Sequence, residues 1–319
     1  MSGGAGSPAR PRCSRPYLLR SAETARCRQR LQKEGRREVG SAEMPELGGK
    51  VVVITGGARG IGLATARACA AAGMKVAIGD LVQQEAKAAA GQLRAETFAA
   101  PLDVRRRDRF ESFLNEVEEG LGPIWGIVNN AGVLSVGPIE DEDPAATARM
   151  LEINLGGVIT GTQLALARFR ANGGAGHIVN IASLAGQVPA PAGATYTATK
   201  HAVVGFTRAL RGELRGTGIG TTVVMPGIIK TEMITGFAQA RAGREIEPDA
   251  VGEAIVKAMA SGRREVFVPA ELSALAKISL ALPAPAADGL RRLLGADKVM
   301  MAADRGARAE IERRDAERS

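Results

Sequence analysis

A short apolar run, a glycine-rich turn and an alanine-rich segment follow one another near residue 50, and this succession most constrains the fold. Residues 50–55 are mainly β-branched, too few for a helix, and typical of a buried parallel strand. Residues 56–62 hold four glycines, and residues 63–72 predict a helix that ends at Gly73. Such glycines let a backbone approach a pyrophosphate, and the helix start offers unpaired N–H groups and a partial positive charge. A purely structural bend is the alternative interpretation.

An acidic residue at the end of the next strand decides between these interpretations. Residues 74–79 predict that strand, and it runs into Asp80. A carboxylate about 20 positions beyond such glycines holds the hydroxyls of an adenosine ribose. Strand, turn, helix and carboxylate together predict the start of a Rossmann unit that binds a dinucleotide.

The choice of dinucleotide rests on Asp80 and Arg59. A carboxylate accepts hydrogen bonds from a ribose 2′-hydroxyl but repels a 2′-phosphate, which favours NAD over NADP. Arg59 is opposing evidence, because a basic residue in the glycine turn can contact that phosphate. We give the carboxylate more weight, since like charges in a narrow pocket are costly and an arginine can turn outward. The sequence therefore predicts NAD, with NADP as the alternative.

A tyrosine and a lysine four residues apart form a second pattern. On a helix, Tyr196 and Lys200 share one face, with their Cβ atoms about 5–6 Å apart. A free phenol is a poor base at neutral pH because its pKa is about 10. A neighbouring ammonium favours the phenolate, which makes proton exchange with an alcohol feasible. The pair alone is weak evidence, because most such pairs lie on ordinary helix surfaces.

Further motifs give the chain a resemblance to the short-chain dehydrogenase/reductase family over residues 47–269. They occur here in the order that the family shows: Thr-Gly-x-x-x-Gly-x-Gly at residues 55–62, Asp103-Val104, Asn-Asn-Ala-Gly at residues 129–132, Asn154, Ser183 thirteen residues before Tyr196, and Pro-Gly-x-x-x-Thr at residues 226–231. No member of the family's catalytic tetrad is missing.

The resemblance implies a role for each member of that tetrad. Tyr196 would be the general base in alcohol oxidation and the general acid in ketone reduction. Lys200 would lower the pKa of Tyr196 and hydrogen-bond the nicotinamide ribose. Ser183 would bind the substrate oxygen, and Asn154 would anchor a water that links Lys200 to solvent. No metal is needed, and His177 is expected to be structural, as is His201.

The cofactor contacts follow from the glycine turn and from the same resemblance. We expect the dinucleotide to lie against Gly56, Arg59, Gly60, Ile61, Gly62, Asp80, Leu81, Asp103, Val104, Asn130, Ala131, Gly132, Tyr196, Lys200, Pro226, Gly227, Ile229 and Thr231.

The alternation of strands and helices from residue 50 to 268 contains no Pro/Gly/Ser-rich linker. It predicts a single doubly wound parallel-sheet α/β domain over residues 44–269, followed by a C-terminal helical extension at 270–319. The formal net charge of +8 is concentrated in residues 1–43, which carry nine Arg and one Lys against four Glu. The remaining charge of +2 gives no indication of nucleic-acid binding. No apolar run reaches the roughly 18–20 residues that a membrane span requires.

The Arg-rich segment at residues 1–43 has no apolar core of a signal peptide. We expect a disordered extension, arising from an over-extended start site, with Met44 as the natural beginning. A mitochondrial transit peptide is the alternative, although the glutamates of the segment weaken it. The three cysteines show no metal or disulfide spacing, so a reducing cytosol is the expected compartment.

Three segments that follow the fourth, fifth and sixth strands are the expected substrate contacts: residues 133–136, 184–189 and 228–237. They are mostly apolar, which favours a lipophilic secondary alcohol or ketone, such as a steroid-like or terpenoid-like molecule. The last resembles a mobile lid over the active site. Packing against the core is the alternative interpretation of all three.

The tail beyond residue 269 predicts two different helices. Residues 271–282 are mainly apolar and stop at Pro283; we expect this helix to cover the substrate entrance, to pack on a neighbouring subunit or to touch lipid, in that order. Residues 303–319 are highly charged in both signs and predict a solvated helix or a frayed terminus.

Two other functions compete with an NAD-dependent alcohol dehydrogenase. One is an acyl-carrier-protein ketoreductase, which usually prefers NADPH, and Asp80 argues against it. The other is a non-catalytic dinucleotide sensor, although such relatives generally lose the tyrosine or the lysine. The resemblance also implies a homodimer or homotetramer that pairs through helices near residues 145–171 and 195–215.

Overall fold

The computed structural model describes residues 46–237, 245–295 and 297–318, so the predicted extension at residues 1–43 lies outside the described residues. In this part of the chain, seven strands form one sheet: β1 (Val51–Thr55), β2 (Lys75–Asp80), β3 (Thr97–Pro101), β4 (Ile124–Asn129), β5 (Ala175–Ile181), β6 (Gly218–Pro226) and β7 (Glu265–Val268). The helices are α1 (Gly60–Ala71), α2 (Gln83–Ala90), α3 (Arg107–Leu121), α4 (Pro144–Leu151), α5 (Val158–Ala171), α6 (Ala194–Glu213), α7 (Pro248–Ser261), α8 (Leu272–Ala281), α9 (Ala284–Leu294), α10 (Lys298–Met301) and α11 (Arg305–Arg318).

The sheet is parallel throughout and has the order β3-β2-β1-β4-β5-β6-β7. Its direction of winding reverses between β1 and β4. In sheets of this kind a crevice opens at the reversal, beyond the carboxyl ends of the strands, and ligands bind there. The predicted doubly wound parallel sheet with a C-terminal helical region is confirmed.

Helices cover both faces of the sheet, which explains the unbroken apolar run of the first strand. Every residue of β1 is buried, and its side chains alternate between two cores. Val52 and Ile54 point to the core formed with α1, α2 and α7, whereas Val51 and Val53 point to the core formed with α3, α5 and α6. A strand between two helical layers has no solvent face, so it carries no polar alternation.

A buried polar ladder crosses the centre of the sheet just below the crevice. The Asn129 side-chain amide donates to Asn180 Oδ1 at 2.8 Å and to Thr162 at 3.3 Å, and Asn180 donates to Thr207 at 2.9 Å. These side chains join β4, β5, α5 and α6, and all of them are buried. Because buried polar groups are costly unless paired, the ladder holds these four elements in one register.

The first predicted tail helix is present as α8, which ends before Pro283 as expected. Ile278 and Leu280 on this helix remain exposed. No residue of α8 lines the cavity that contains the candidate site, so its predicted position over the substrate entrance stays a prediction. The expectation for residues 303–319 is wrong in one respect. Within this segment Arg305–Arg318 form α11, but this helix is not fully solvated, because Arg308 is only 2% exposed.

Nowhere in the residues that the structure describes does a helix have the length and apolar character needed to cross a membrane. The pairing of subunits through helices near residues 145–171 and 195–215 stays a prediction, as does the compartment.

Candidate active site

The glycine turn between β1 and α1 forms one wall of the crevice. Gly56 and Gly60 have φ angles of +60° and +54°, which glycine adopts readily. A Cβ on Gly62 would overlap the Gly56 carbonyl oxygen and lie 2.7 Å from Asn130 Nδ2. Asn130 Nδ2 in turn donates to the carbonyl oxygens of Thr55 and Gly56, each at 2.9 Å. The turn is therefore braced from below by the loop after β4.

The start of α1 is suited to an anionic group. The first turn of this helix contains no acidic residue, and Arg59 at its N-cap position makes no side-chain cap. The guanidinium of Arg59 instead pairs with Glu232 at 2.6 Å. The N–H groups that open a helix carry partial positive charge and need partners, so this end fits the pyrophosphate of a dinucleotide.

The carboxylates predicted to hold the adenosine half lie at the ends of β2 and β3. Asp80 Oδ2 accepts a hydrogen bond from the Ala58 N–H at 3.0 Å, which fixes the carboxylate beside the glycine turn. Asp103 accepts hydrogen bonds from the backbone and the guanidinium of Arg105. Partial burial raises the pKa of Asp103, but these bonds and the charge of Arg105 outweigh burial and hold that pKa below its usual range.

Tyr196 and Lys200 lie on successive turns of α6, and both are buried, at 7% and 4% exposure. Lys200 Nζ is 5.6 Å from the centroid of the Tyr196 ring and donates to the Ile181 carbonyl oxygen at 3.1 Å. Ser183 follows β5, accepts from the Ala185 N–H at 3.1 Å and hydrogen-bonds Tyr196. The Tyr196 phenol therefore has the Ser183 hydroxyl as a hydrogen-bond partner and the Lys200 ammonium as a neighbour.

Asn154 lies in a π-helical segment, Glu152–Gly157, that joins α4 to α5. Its Oδ1 accepts from the Val133 N–H at 2.8 Å, and its Nδ2 donates to the Val133 carbonyl at 2.9 Å and to Thr199 at 3.3 Å. Such wide turns are frequent at functional sites. The Asn154 amide thus ties the loop after β4 to α6. The predicted water relay stays a prediction.

Burial dominates the ionisation of the tyrosine–lysine pair. It raises the pKa of Tyr196, and the hydrogen bond with Ser183 offsets part of the rise. Burial also lowers the pKa of Lys200 to about 8. The pKa of Tyr196 therefore shifts in the direction opposite to the one expected from the neighbouring ammonium, because desolvation disfavours both charged forms.

The pKa of Lys200 predicts a change of stability with pH. Between about pH 8 and 10.5 the unfolded chain keeps a proton on this lysine that the folded chain has released. Folding therefore becomes more favourable as pH rises through this window, by up to about 1.4 kcal/mol per pH unit. Against Lys200→Met, the wild type should gain free energy of unfolding from pH 8 to pH 10, as measured by urea denaturation.

The matched control for this measurement is Lys87→Met, which alters an exposed lysine of α2. It should leave the dependence of stability on pH unchanged. Parallel curves for the wild type and Lys200→Met would show that the ammonium is not desolvated.

One cavity of about 730 Å³ contains most of the predicted site. The predicted residues that line it are Gly56, Arg59, Gly60, Ile61, Asp80, Leu81, Asp103, Val104, Asn130, Ala131, Gly132, Tyr196, Lys200 and Thr231. The other predicted residues are not among those that line the cavity: Gly62, Asn154, Ser183, Pro226, Gly227 and Ile229. Ile229 is 4% exposed and belongs to the core formed with α1 and α7 rather than to the cavity surface.

The cavity also has wall residues that the sequence analysis did not single out. Leu102, Ile153, Ile181 and Ala182 come from the ends of strands and from the π-helical segment, and Ile311 comes from α11. The first four lie within two residues of predicted site residues in the sequence, so they could have been predicted to line the cavity. Ile311 stands alone in a charged segment, and little in the sequence distinguishes it from a surface residue.

Comparison with known proteins places this arrangement in a family. The model of the short chain dehydrogenase family matches residues 50–242. The 3-alpha-(or 20-beta)-hydroxysteroid dehydrogenase of Mycobacterium tuberculosis is 36% identical over 212 residues, which cover 65% of this chain and 81% of that protein. The 2-(S)-hydroxypropyl-CoM dehydrogenase 3 of Xanthobacter autotrophicus is 35% identical over 213 residues, 65% of this chain and 81% of that protein.

A solved structure agrees with these relatives. The crystal structure of a short chain dehydrogenase/reductase from Burkholderia phymatum in complex with NAD superposes with a TM-score of 0.68 at 27% identity, covering 73% of this chain and 94% of that one. The chain belongs to the short-chain dehydrogenase/reductase family. It is an oxidoreductase of the alcohol and ketone class, and its cofactor is a nicotinamide dinucleotide.

Proposed function

We propose that the protein transfers a hydride between NAD(H) and a lipophilic secondary alcohol or ketone. The observation that carries the proposal is the single cavity that joins Asp80 and the glycine turn at one end to Tyr196 and Lys200 at the other. A family member without catalysis would not need a buried phenol and ammonium, since burying these groups is costly. Cavity and buried pair together favour an enzyme over a dinucleotide sensor.

The bound nicotinamide supplies the hydride acceptor in oxidation and the hydride donor in reduction. In oxidation, Tyr196 Oη takes the proton of the substrate hydroxyl while the C–H bond releases its hydride. Ser183 hydrogen-bonds the same oxygen and holds it in place. Lys200 supplies positive charge that stabilises the phenolate form of Tyr196, which accepts this proton and becomes the phenol. In the reverse direction the phenol gives its proton to the oxygen of the ketone as the ketone is reduced.

The preference for NAD over NADP rests on two charged groups. Asp80 presents a carboxylate, fixed by the Ala58 N–H, on the cavity wall where an adenosine ribose would lie. Arg59 is the residue that favours NADP, but its guanidinium pairs with Glu232 at 2.6 Å, and that carboxylate offsets its positive charge. The acyl-carrier-protein ketoreductase with NADPH remains the competing hypothesis within the family.

Asp80→Ser is expected to reverse this preference. Removing the carboxylate ends its repulsion of the 2′-phosphate of NADP. It also removes a hydrogen-bond acceptor for the 2′-hydroxyl of NAD. The ratio of kcat/KM for NAD over NADP should therefore fall about a hundredfold. Initial rates with both cofactors measure the ratio. Glu232→Gln alone should leave NAD preferred because Asp80 remains, whereas the two changes together should favour NADP further, because both remove negative charge beside Arg59 or the ribose. A wild type that prefers NADPH would support the ketoreductase instead.

The lipophilic character of the substrate is supported by the cavity and by the relatives. Val133, Met233 and Ile311 line the cavity and offer no charge, and the first two pack against the apolar cluster that contains Tyr196. A relative at 36% identity is named as a hydroxysteroid dehydrogenase. The test is NADH formation with a panel of secondary alcohols that runs from short-chain alcohols to steroid alcohols. Turnover should favour the bulky apolar members, and confinement to small charged alcohols would refute the assignment.

A further inference from the structure

Helix α11 is attached to the loops after β4 and β6 by a buried arginine. Arg308 is 2% exposed, and its Nη1 donates to the Met233 carbonyl at 2.7 Å. Its Nη2 donates to the Leu134 carbonyl at 2.8 Å. Hydrogen bonds from a charged donor are strong where water is excluded. One side chain therefore joins the two loops that flank the substrate side of the cavity.

Further contacts fix the orientation of α11. Glu312 accepts hydrogen bonds from the Ser135 hydroxyl at 2.8 Å and from the Val136 N–H at 3.1 Å. Just before the helix, the Asp304 N–H donates to the Gly236 carbonyl at 2.8 Å. The guanidinium of Arg308 also lies 5.3 Å from the centroid of the Phe237 ring. Both loops thus contact the helix at more than one position.

The attached face of α11 is part of the cavity wall. Ile311 lines the same cavity as Tyr196 and Lys200, three residues beyond Arg308 on that face. The opposite face is solvated, since Arg313 is 64% exposed and pairs with Glu310 and Glu317 of its own helix. The helix therefore presents the apolar side chain of Ile311 to the cavity and the guanidinium of Arg313 to water.

We propose that α11 is the outer wall of the substrate site. Ile311 is a specificity-determining residue that limits the bulk of the apolar body of the alcohol, and Arg308 is a positioning residue that seats the wall. A buried arginine is weak evidence for stability alone, because apolar side chains of similar size often stabilise equally well. This inference rests on the proposed function, since it names what bounds the substrate in the same site.

Substitutions at Ile311 test the specificity role. Ile311→Ala removes apolar volume, so kcat/KM for the bulkiest alcohols of the panel should rise about tenfold relative to the smallest. Ile311→Trp should shift the preference in the opposite direction. The KM for NAD should not change in either variant. Equal size preferences in the wild type and in both variants would overturn the inference while the proposed function stands.

Arg308→Met tests the positioning role, with Arg313→Met as the matched control on the solvated face of the same helix. Loss of the charge-assisted bonds to the Met233 and Leu134 carbonyls should raise the KM for a bulky alcohol about tenfold in Arg308→Met, with kcat and the KM for NAD unchanged. Arg308→Lys should recover part of the loss. The control should behave as the wild type, because Arg313 bonds only within α11 among the contacts above.

Hydrogen exchange gives a readout that does not depend on turnover. The backbone amides of residues 133–136 and 233–237 should exchange faster in Arg308→Met than in the wild type, and Arg313→Met should show no such change. Identical exchange in both variants would show that Arg308 does not seat the helix. If the wild type oxidises no alcohol of the panel, the proposed function fails, and the exchange experiment still decides whether α11 is held on the site as inferred.

Discussion

Replacing Tyr196 with phenylalanine is expected to lower kcat/KM for alcohol oxidation about a thousandfold, the usual scale for losing a general acid–base group. The change removes only the hydroxyl. The ring remains to pack with Leu134, Met150 and Ala185, so the fold and the affinity for NAD should be preserved. Steady-state kinetics measure the loss, and titration of NAD binding by fluorescence or calorimetry measures what is retained.

The control for this prediction lies on the same helix. His201 is a conventional acid–base residue, but it occupies the exposed face of α6 and bonds the Thr197 carbonyl one turn earlier. His201→Gln should retain wild-type turnover. Unchanged turnover in Tyr196→Phe across the alcohol panel, or a comparable loss in His201→Gln, would contradict the assignment of Tyr196 as the proton-transfer group.

Gly62→Ala is the second change with a large expected effect. The added Cβ would overlap the Gly56 carbonyl oxygen and lie 2.7 Å from Asn130 Nδ2, so the turn or its brace must move. The N–H groups at the start of α1 would then no longer converge on a pyrophosphate. We expect the dissociation constant for NAD to rise about a hundredfold, which corresponds to about 2.7 kcal/mol of binding free energy.

Gly91→Ala is the matched control for that substitution. Gly91 has a right-handed helical conformation at the end of α2, and a Cβ there would come no closer than 3.5 Å to other atoms. A glycine replaced by alanine in such a conformation typically gains about 0.4–1 kcal/mol of stability. Calorimetric titration should therefore separate the two variants. Wild-type NAD affinity in Gly62→Ala would show that the close packing of Gly62 against Gly56 and Asn130 is not needed to bind the cofactor.

The sequence was most informative where function depends on local spacing. The interval from Tyr196 to Lys200 is one helical turn, so any helix there places the phenol and the ammonium together, as α6 does. The glycine turn and Asp80 likewise lie at the ends of two neighbouring strands, β1 and β2. Parallel strands bring their carboxyl ends to one edge of the sheet. The closeness of the glycine turn and Asp80 could therefore be predicted without knowing how the side chains pack.

Features that depend on burial or on distant contacts could not be inferred in this way. Arg308 bonds Leu134 across 174 positions of the chain, and its segment has the composition of a solvated helix. Ile229 belongs to a matching motif but packs in the core. The raised pKa of Tyr196 follows from its burial, which the spacing of two residues does not reveal.

A crystal structure of the protein with bound NAD tests the central claim most directly, because it measures the distance from the nicotinamide C4 atom to Tyr196 Oη. We predict that nicotinamide C4 and Tyr196 Oη border the same space. A substrate alcohol would fit there, with its carbon about 3–3.5 Å from C4 and its hydroxyl oxygen about 3–3.5 Å from Tyr196 Oη. We also predict that Asp80 hydrogen-bonds the adenosine ribose. A nicotinamide ring that lies away from α6, with the phenol facing the core, would contradict these predictions.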